Sequence, residues 1–391
     1  MHVKQRLGFS LPQPRHREES LWIHAVSVGE VLSLRKLVKQ LKERHSAWGI
    51  DFSSLTPTGM RMAEEKLEGV DNFFFIPLDF SPIVGKFFQT YNPKVFILAE
   101  SEFWPNLLRV ARENGAAVLL INGRVSERSF RRYRLFKFLA KKIFKNIDLF
   151  LAQTDLDRER LERIGVEPGR IRVVGNLKAE IELPVFSQEE ITSLRKELNI
   201  QERNKVIVAG STRKGEEDEL LKAYLEARQK RDDLKLILVP RHLERVIEVE
   251  RICQRYALSV KRWTKLSSDE EWEVLILDTM GELAQLYALS DIAFVGGSLV
   301  PWGGHNLLEP AFYAKPVFFG PHMDNFAYFA DIFVRSGAAR IMHNRRDLAE
   351  AFLNIDGEEL SEMGKRAKDA LLSLQGATEK TMQAIEALMR R

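Results

Sequence analysis

The sequence predicts an α/β protein built from two doubly wound domains, each a parallel sheet covered by helices on both faces. Its 391 residues exceed what one core usually organises and suit two domains. Through nearly the whole chain, short runs rich in Val, Ile, Leu and Phe alternate with longer amphipathic stretches, the pattern of βαβ units. At 45% apolar and 29% charged residues, the composition is globular and not disordered.

In the first half, residues 21–27, 50–55, 72–77, 95–99, 117–121, 149–152 and 171–174 read as strands. Between the first two, Val31, Leu34, Leu37, Val38 and Leu41 fall on one face of a helix over 31–44. In the second half the expected strands are 206–209, 234–239, 273–277, 292–295 and 316–319. Residues 178–187 contain Pro184 and lead into Ser187-Gln188-Glu189-Glu190, a linker followed by a helix cap, which puts the domain boundary there. Residues 360–391 read as two helices.

The lone cysteine, Cys253, lies in an apolar-periodic stretch and reads as a buried, inert thiol. It excludes an internal disulfide framework and a cysteine zinc cluster, and a reducing compartment fits. The net charge of +4 does not by itself point to nucleic acid. The basic residues are unevenly spread, however: nine of them, against the single acid Glu127, fall between Arg124 and Lys145. No apolar run reaches the roughly 18–20 residues that span a bilayer. The opening Met1-His2-Val3-Lys4-Gln5-Arg6 has the basic character found just after a membrane anchor.

Doubly wound sheets bind ligands at the carboxyl ends of their strands, so functional residues are expected in the turns that follow. Ser27-Val28-Gly29-Glu30 turns tightly at Gly29 and puts Glu30 in the first helical turn. A carboxylate there can take a proton from an acceptor hydroxyl or merely complement the helix dipole. Glu100-Ser101-Glu102-Phe103-Trp104-Pro105-Asn106 joins two acids to an aromatic pair. Glu100 can hold a substrate hydroxyl or orient a cation, whereas Glu102 reads as a solvent-facing acid. Lys178, closing Gly175-Asn176-Leu177-Lys178, is a point charge suited to phosphate or carboxylate, or a solvated surface lysine.

In the second half, Pro240-Arg241-His242 ends a strand, and the guanidinium fork of Arg241 suits paired oxygens. Asp278-Thr279-Met280-Gly281-Glu282-Leu283 follows another strand, with Thr279 an expected helix N-cap. The run from Gly296 to Glu309 contains two double glycines and enters a helix through Asn306, Leu307, Leu308 and Glu309. Amides at that start suit phosphate, and Glu309 suits ribose hydroxyls; a loop with structural glycines is the bland alternative. No phosphate-loop lysine motif, His-Glu-x-x-His pair, first-strand Gly-x-Gly-x-x-Gly or Asp-x-Asp element occurs, so the pattern points to amides and cations rather than a divalent metal.

Taken in chain order, Ser27 to Glu30, Thr56-Pro57-Thr58-Gly59, Glu100 to Asn106, Gly175 to Lys178, Val239 to His242, Asp278 to Leu283 and Gly296 to Glu309 resemble the signature series of the bacterial Kdo (3-deoxy-D-manno-octulosonate) transferases. The resemblance covers nearly the whole chain. It implies a GT-B fold, two Rossmann-like doubly wound domains facing a central cleft. Residues 1–180 would bind acceptor and 181–391 CMP-Kdo, with the C-terminal helix packing back on the first domain. It implies an inverting glycosyltransferase of lipopolysaccharide biosynthesis that moves Kdo from CMP-Kdo to a lipid A precursor (lipid IVA) or to Kdo-lipid IVA.

By position, Glu30 would be the general base, and Glu100 and Lys178 would stabilise the transition state. Pro240, Arg241, Met280, Gly281, Glu282, Asn306, Leu307, Leu308 and Glu309 would hold the nucleotide, with no metal and no cofactor beyond the donor substrate. Arg128, Arg131, Arg132, Arg134, Lys137 and Lys141, interleaved with Phe130, Tyr133, Phe136, Phe138 and Phe144, suit an anionic lipid acceptor and membrane surface, or a solvated helix face. A peripheral place on the cytoplasmic face of the inner membrane follows. Two departures from the family pattern stand out: Arg213 replaces its usual histidine, and Ser101 and Phe103 replace its usual Thr and Leu. A GT-B enzyme using a UDP-sugar, as transferase or epimerase, and a non-catalytic lipid A-binding protein remain the competing readings.

Overall fold

The structure, a computed structural model, describes residues 2–15, 19–100, 103–267 and 269–390. The chain divides into two compact units, Met1–Glu180 with Leu374–Arg391, and Ile181–Ser373.

The first unit carries seven parallel strands: β1 (Ser20–His24), β2 (Gly49–Ser54), β3 (Asn72–Phe75), β4 (Val95–Ala99), β5 (Ala117–Gly123), β6 (Leu149–Ala152) and β7 (Ile171–Val173). Their order is β3-β2-β1-β4-β5-β6-β7. The chain winds outward from β1 on one side and from β4 on the other, so the switch point lies between these two strands. Both are buried along their whole length, as the unbroken apolar run of β4, Val-Phe-Ile-Leu-Ala, requires.

On one face Trp22 packs against Phe74, Phe88 and Phe96 at ring separations of 5.2, 4.9 and 4.9 Å. Each such buried ring contributes about 1.5–3 kcal/mol of transfer free energy. On the other face Leu34, Leu37, Val38 and Leu41 seat the helix Val28–Arg44. That helix begins three residues earlier than its apolar period indicates, because Ser27 caps it.

A buried carboxylate fixes the return of the chain to this unit. Glu180 accepts from the amides of Gly376 (2.6 Å) and Thr378 (3.2 Å) at the start of the last helix, Ala377–Met389. It also pairs with Lys36 at 2.9 Å. Burial works against its charge, but Lys36 and the two amides outweigh that effect and its pKa is lowered.

The second unit repeats the scheme with β8 (Lys205–Thr212), β9 (Leu234–Pro240), β10 (Val260–Arg262), β11 (Val274–Ile276), β12 (Ile292–Val295), β13 (Val317–Phe319) and β14 (Ala339–Ile341). The order is β10-β11-β9-β8-β12-β13-β14, with the switch point between β8 and β12. Two of these strands have no counterpart among the expected ones. β10 and β14 are three-residue edge strands whose Val-Lys-Arg and Ala-Arg-Ile lack the apolar run of a central strand. Ser187 and Glu190 form the expected capping box, and Cys253 is buried with its thiol pKa pushed up to about 12 by desolvation.

His24 is a buried titratable group of the first unit. Its Nδ1 meets Ser53 Oγ at 2.9 Å, its Nε2 has no partner among the described residues, and burial lowers its pKa to about 4. An unfolded chain protonates this ring below about 6.5, the folded chain only below about 4. Stability from this group is therefore intact above pH 6.5 and lost as pH falls to 4, by about 3 kcal/mol in all. Urea unfolding of the wild type and His24→Gln at pH 7 and 4.5 should show a smaller loss in the variant; equal losses would refute the assignment.

Candidate active site

The helix Val28–Arg44 brings Glu30 to the carboxyl end of β1. The Glu30 carboxylate is nearly buried and accepts from the Val26 amide and the Ser27 hydroxyl, both at 2.8 Å. The Val26 carbonyl in turn accepts from Thr56 Oγ1 at 2.8 Å, and a Cβ on Gly59 would come within 2.6 Å of the same carbonyl. The Thr56-Pro57-Thr58-Gly59 motif thus buttresses the turn that aims Glu30.

Glu100 follows β4, across the switch point, in the left-handed region at φ 60°. Its Oε1 meets Lys178 Nζ at 2.7 Å and Asn122 Nδ2 at 3.4 Å. A closed ring of hydrogen bonds continues through residues that the sequence analysis passed over. The Asn122 carbonyl accepts from Gln153 Nε2 (2.9 Å), Gln153 Oε1 from Asn176 Nδ2 (2.9 Å), and Asn176 Oδ1 from the Lys178 amide (2.9 Å). The ring crosses the ends of β4, β5, β6 and β7. Glu100 and Gln153 directly follow β4 and β6, Asn122 lies at the carboxyl end of β5, and Asn176 and Lys178 lie in the turn after β7; a position at a strand's carboxyl end is the signal that would have found them.

Other parts of the Glu100 motif are structural. Asn106 lies in a helix start capped by Asp79, whose Oδ1 accepts from the Leu107 amide at 2.7 Å. Phe103 packs on Tyr133 and Phe144 at 6.0 and 4.9 Å. Glu102 lies outside the described residues.

The basic segment forms two helices, Glu127–Leu135 and Lys137–Phe144. Phe130 and Phe144 are core residues, contrary to a fully exposed aromatic face. Leu135, Phe136, Phe138 and Leu139 are instead exposed, from 54% to 81%, among exposed Arg128, Arg132, Arg134, Lys137 and Lys141. Arg131 is exposed too and pairs with Glu127 at 3.0 Å.

In the second unit the decisive group is Glu216, fully buried. Its carboxylate accepts from the amides of Arg213 (2.8 Å), Gly297 (2.6 Å), Ser298 (2.8 Å) and Leu299 (2.8 Å). It ties the end of β8 to the loop after β12, and burial raises its pKa while the four amides pull the other way. A Cβ on Gly296 would fall 2.5 Å from the Ser211 carbonyl, so only glycine permits this approach.

Around that junction Pro240 is buried at the end of β9, and the Arg241 amide donates to the Thr212 carbonyl at 3.0 Å. Asn306 Nδ2 donates to Glu309 Oε1 at 3.1 Å, and Asn306 Oδ1 accepts from the Leu308 amide at 3.1 Å. Desolvation raises the Glu309 pKa, with Asn306 and Arg241 acting against it. Leu307 and Leu308 are buried side chains, and the amide of Leu308 is spent on Asn306.

Met280 is exposed and Gly281 takes φ 115°. Thr279 does not cap a helix, since the helix Leu283–Leu289 has Glu282 at its N-cap without a side-chain bond. The Thr279 hydroxyl and Glu282 Oε2 are buried without hydrogen-bonding partners among the described residues. Such orphaned atoms are costly unless something arrives to pair with them. No group of three or more His, Cys, Asp or Glu among the described residues is placed to hold a metal ion.

The family model described as 3-deoxy-D-manno-octulosonic-acid transferase (kdotransferase) matches residues 1–181. The 3-deoxy-D-manno-octulosonic acid transferase of Haemophilus influenzae is 32% identical over 398 residues, covering 100% of this chain and 92% of the relative. A bifunctional glycosyltransferase/methyltransferase of Fusobacterium nucleatum is 36% identical over 350 residues, covering 88% of this chain but only 54% of the relative. Among solved structures, Anabaena Alr3699/HepE in complex with UDP superposes with a TM-score of 0.63 at 16% identity, over 96% of this chain and 100% of that one. That last likeness concerns fold alone, the pair of Rossmann-like domains of the GT-B class. On the relatives and the family match, this chain belongs to the 3-deoxy-D-manno-octulosonic acid transferases, a family of glycosyltransferases.

Proposed function

We propose that the protein moves Kdo from CMP-Kdo to lipid IVA, or to Kdo-lipid IVA, with inversion at the anomeric carbon. The observation that carries this reading is the pairing of chemistries at one switch point. A held carboxylate, Glu30, follows β1, and Glu100, ion-paired with Lys178 from the turn after β7, follows the neighbouring β4. Glu30 takes the proton of the acceptor hydroxyl as its oxygen bonds to the anomeric carbon. The bond to the cytidylate phosphate breaks on the opposite face, and its electron pair leaves with the phosphate. Lys178, positioned by Glu100 and the amide ring, offsets the negative charge in the transition state.

On the donor side, Arg241 is a cation for the phosphate. Glu282 Oε2 is an acceptor awaiting the donors that a cytosine amine or ribose hydroxyl offers. Asn306 and Glu309 form a polar pair suited to the ribose, with Pro240, Met280 and Gly281 lining the base. Leu307 and Leu308 contribute by seating that pair. No metal is required, because amides and cations supply the charge.

The acceptor is an anionic lipid, and the helices Glu127–Leu135 and Lys137–Phe144 fit its surface. Their four exposed apolar side chains enter the interface while the surrounding cations meet the headgroups. No helix of the described residues is long and apolar enough to cross a membrane. On the lipid acceptor and this exposed patch, we assign a peripheral place at the cytoplasmic face of the inner membrane.

Mass spectrometry of lipid IVA incubated with CMP-Kdo and the protein should detect Kdo-bearing product; transfer only from a UDP-sugar would refute the donor. Glu30→Gln is expected to cut turnover by about 10²- to 10⁴-fold with CMP affinity retained. Lys178→Ala should lower kcat more than it raises KM, and the reverse split would reduce Lys178 to ground-state binding. Phe138→Glu with Leu135→Glu should weaken sedimentation with phosphatidylglycerol vesicles and leave CMP affinity unchanged. Undiminished vesicle binding would remove this patch from the membrane contact.

A further inference from the structure

We propose that Arg213, Arg241, His242 and His305 form a proton-linked phosphate subsite, in which Arg213 exchanges an imidazole partner for the incoming anion and His305 takes up a proton. The proposal rests on the donor reading above and names the group within it that these residues recognise.

The four residues follow three adjacent strands: Arg213 after β8, Arg241 and His242 after β9, and His305 in the loop after β12. Arg213 Nε donates to His305 Nε2 at 3.3 Å, and Arg213 Nη1 lies 2.6 Å from His242 Nε2. The guanidinium also stacks over Trp302 at 4.8 Å. An arginine normally spends its donors on carboxylates. Here the nearest acid, Glu216, is already engaged by four backbone amides. The neighbouring Arg245 has a carboxylate, Glu217, at 2.6 Å, but neither Arg213 nor Arg241 makes an ion pair among the described residues. Two arginines and two imidazoles therefore share a strand-end junction with no ion pair to either arginine among the described residues.

The hydrogen bond from Arg213 fixes the state of His305. A ring nitrogen that accepts from a guanidinium must hold a lone pair, so Nε2 carries no proton while this bond is made. The surroundings enforce this: burial first, then Arg241, Arg213 and His242, hold the His305 pKa at about 4. The same crowding, burial and then Arg241, lowers the pKa of Arg213. Of the acids in this region, Glu309 lies four residues on along the same segment and Glu216 is held by its amides.

A phosphate oxygen is a stronger acceptor for a guanidinium than an imidazole is. When it arrives, Arg213 turns its donors to the anion, Nε2 of His305 is released, and the negative charge reverses the field upon that ring. One proton moves from solvent to Nε2, no covalent bond changes, and the imidazolium becomes a further donor to the phosphate.

Titration calorimetry of CMP into the full chain at pH 7, in two buffers of different ionisation enthalpy, tests this. The wild type should take up about one proton more per CMP than His305→Gln does, whatever the phosphate itself releases. Arg213→Gln should weaken CMP by about 10- to 100-fold and leave cytidine unchanged. The same variant should raise Tm without ligand, because one member of an unpaired cationic cluster is gone. Lys214→Gln, which removes an equal charge from the exposed neighbour, should alter none of these. Equal proton uptake in wild type and His305→Gln, or parallel losses of CMP and cytidine in Arg213→Gln, would overturn the proposal. If UMP binds where CMP does not, the donor reading fails, and UMP against uridine then tests the subsite in the same way.

Discussion

The central strands of a parallel sheet end in turns whose amides have left the ladder, and at a switch point nothing in the sheet replaces the lost partners. Both units solve this with a carboxylate in the first turn of the helix after the first strand. Glu30 reaches back to the Val26 amide and Ser27, and Glu216 reaches across to the amides of Gly297, Ser298 and Leu299. Leaving one such buried donor unmet costs about 1–3 kcal/mol, so four around Glu216 cannot be abandoned. The turn after β1 and the loop after β12 take their shape from these two acids.

Once those carboxylates are committed, the remaining acids decide which cations stay available. Lys36 goes to Glu180, Arg245 to Glu217, and Lys178 to Glu100. The first two pairs involve deeply buried carboxylates and hold segments together. The third is partly open, with side chains 26% and 19% exposed, where a substrate can compete for the charge. Away from the sheet edges, the helices Glu127–Leu135 and Lys137–Phe144 contain a single acid, so most of their positive charge has no acidic neighbour within them.

Much of this was legible in the sequence. The twelve expected strands all appear because parallel strands are apolar runs, and the expectation that functional residues follow the carboxyl ends of strands directed attention to Glu30, Glu100 and Arg241, which lie in the segments after β1, β4 and β9. The pairing of Lys178 with Glu100 was not legible, since 78 residues separate them and only the winding of the sheet joins them. Glu216 was hidden in a run of four acids that reads as an ordinary helix start. Asn122, Gln153 and Asn176 were given no role because a neutral amide carries no charge signature, although all three lie at the carboxyl ends of β5, β6 and β7. Leu307 and Leu308 drew attention from a motif as a whole, whereas their side chains belong to the core.

The geometry around Glu100 bears on why its lysine is paired at all. A non-glycine residue at φ 60° costs on the order of 1 kcal/mol, and Asn122 opposite it, at φ 51°, adds to the strain. A surface ion pair repays less than about 1 kcal/mol, so the pair alone does not justify two strained residues. What the strain secures is position. Glu100 Oε1, the Asn176 side chain and the turn at Leu177–Ala179 together fix both the ammonium and the backbone of Lys178. A free lysine would sample many rotamers and lose entropy on meeting an anion, whereas one already ordered does not. Strain of this kind, held in place by a closed ring of hydrogen bonds, is what the proposed role of Lys178 in offsetting transition-state charge would require.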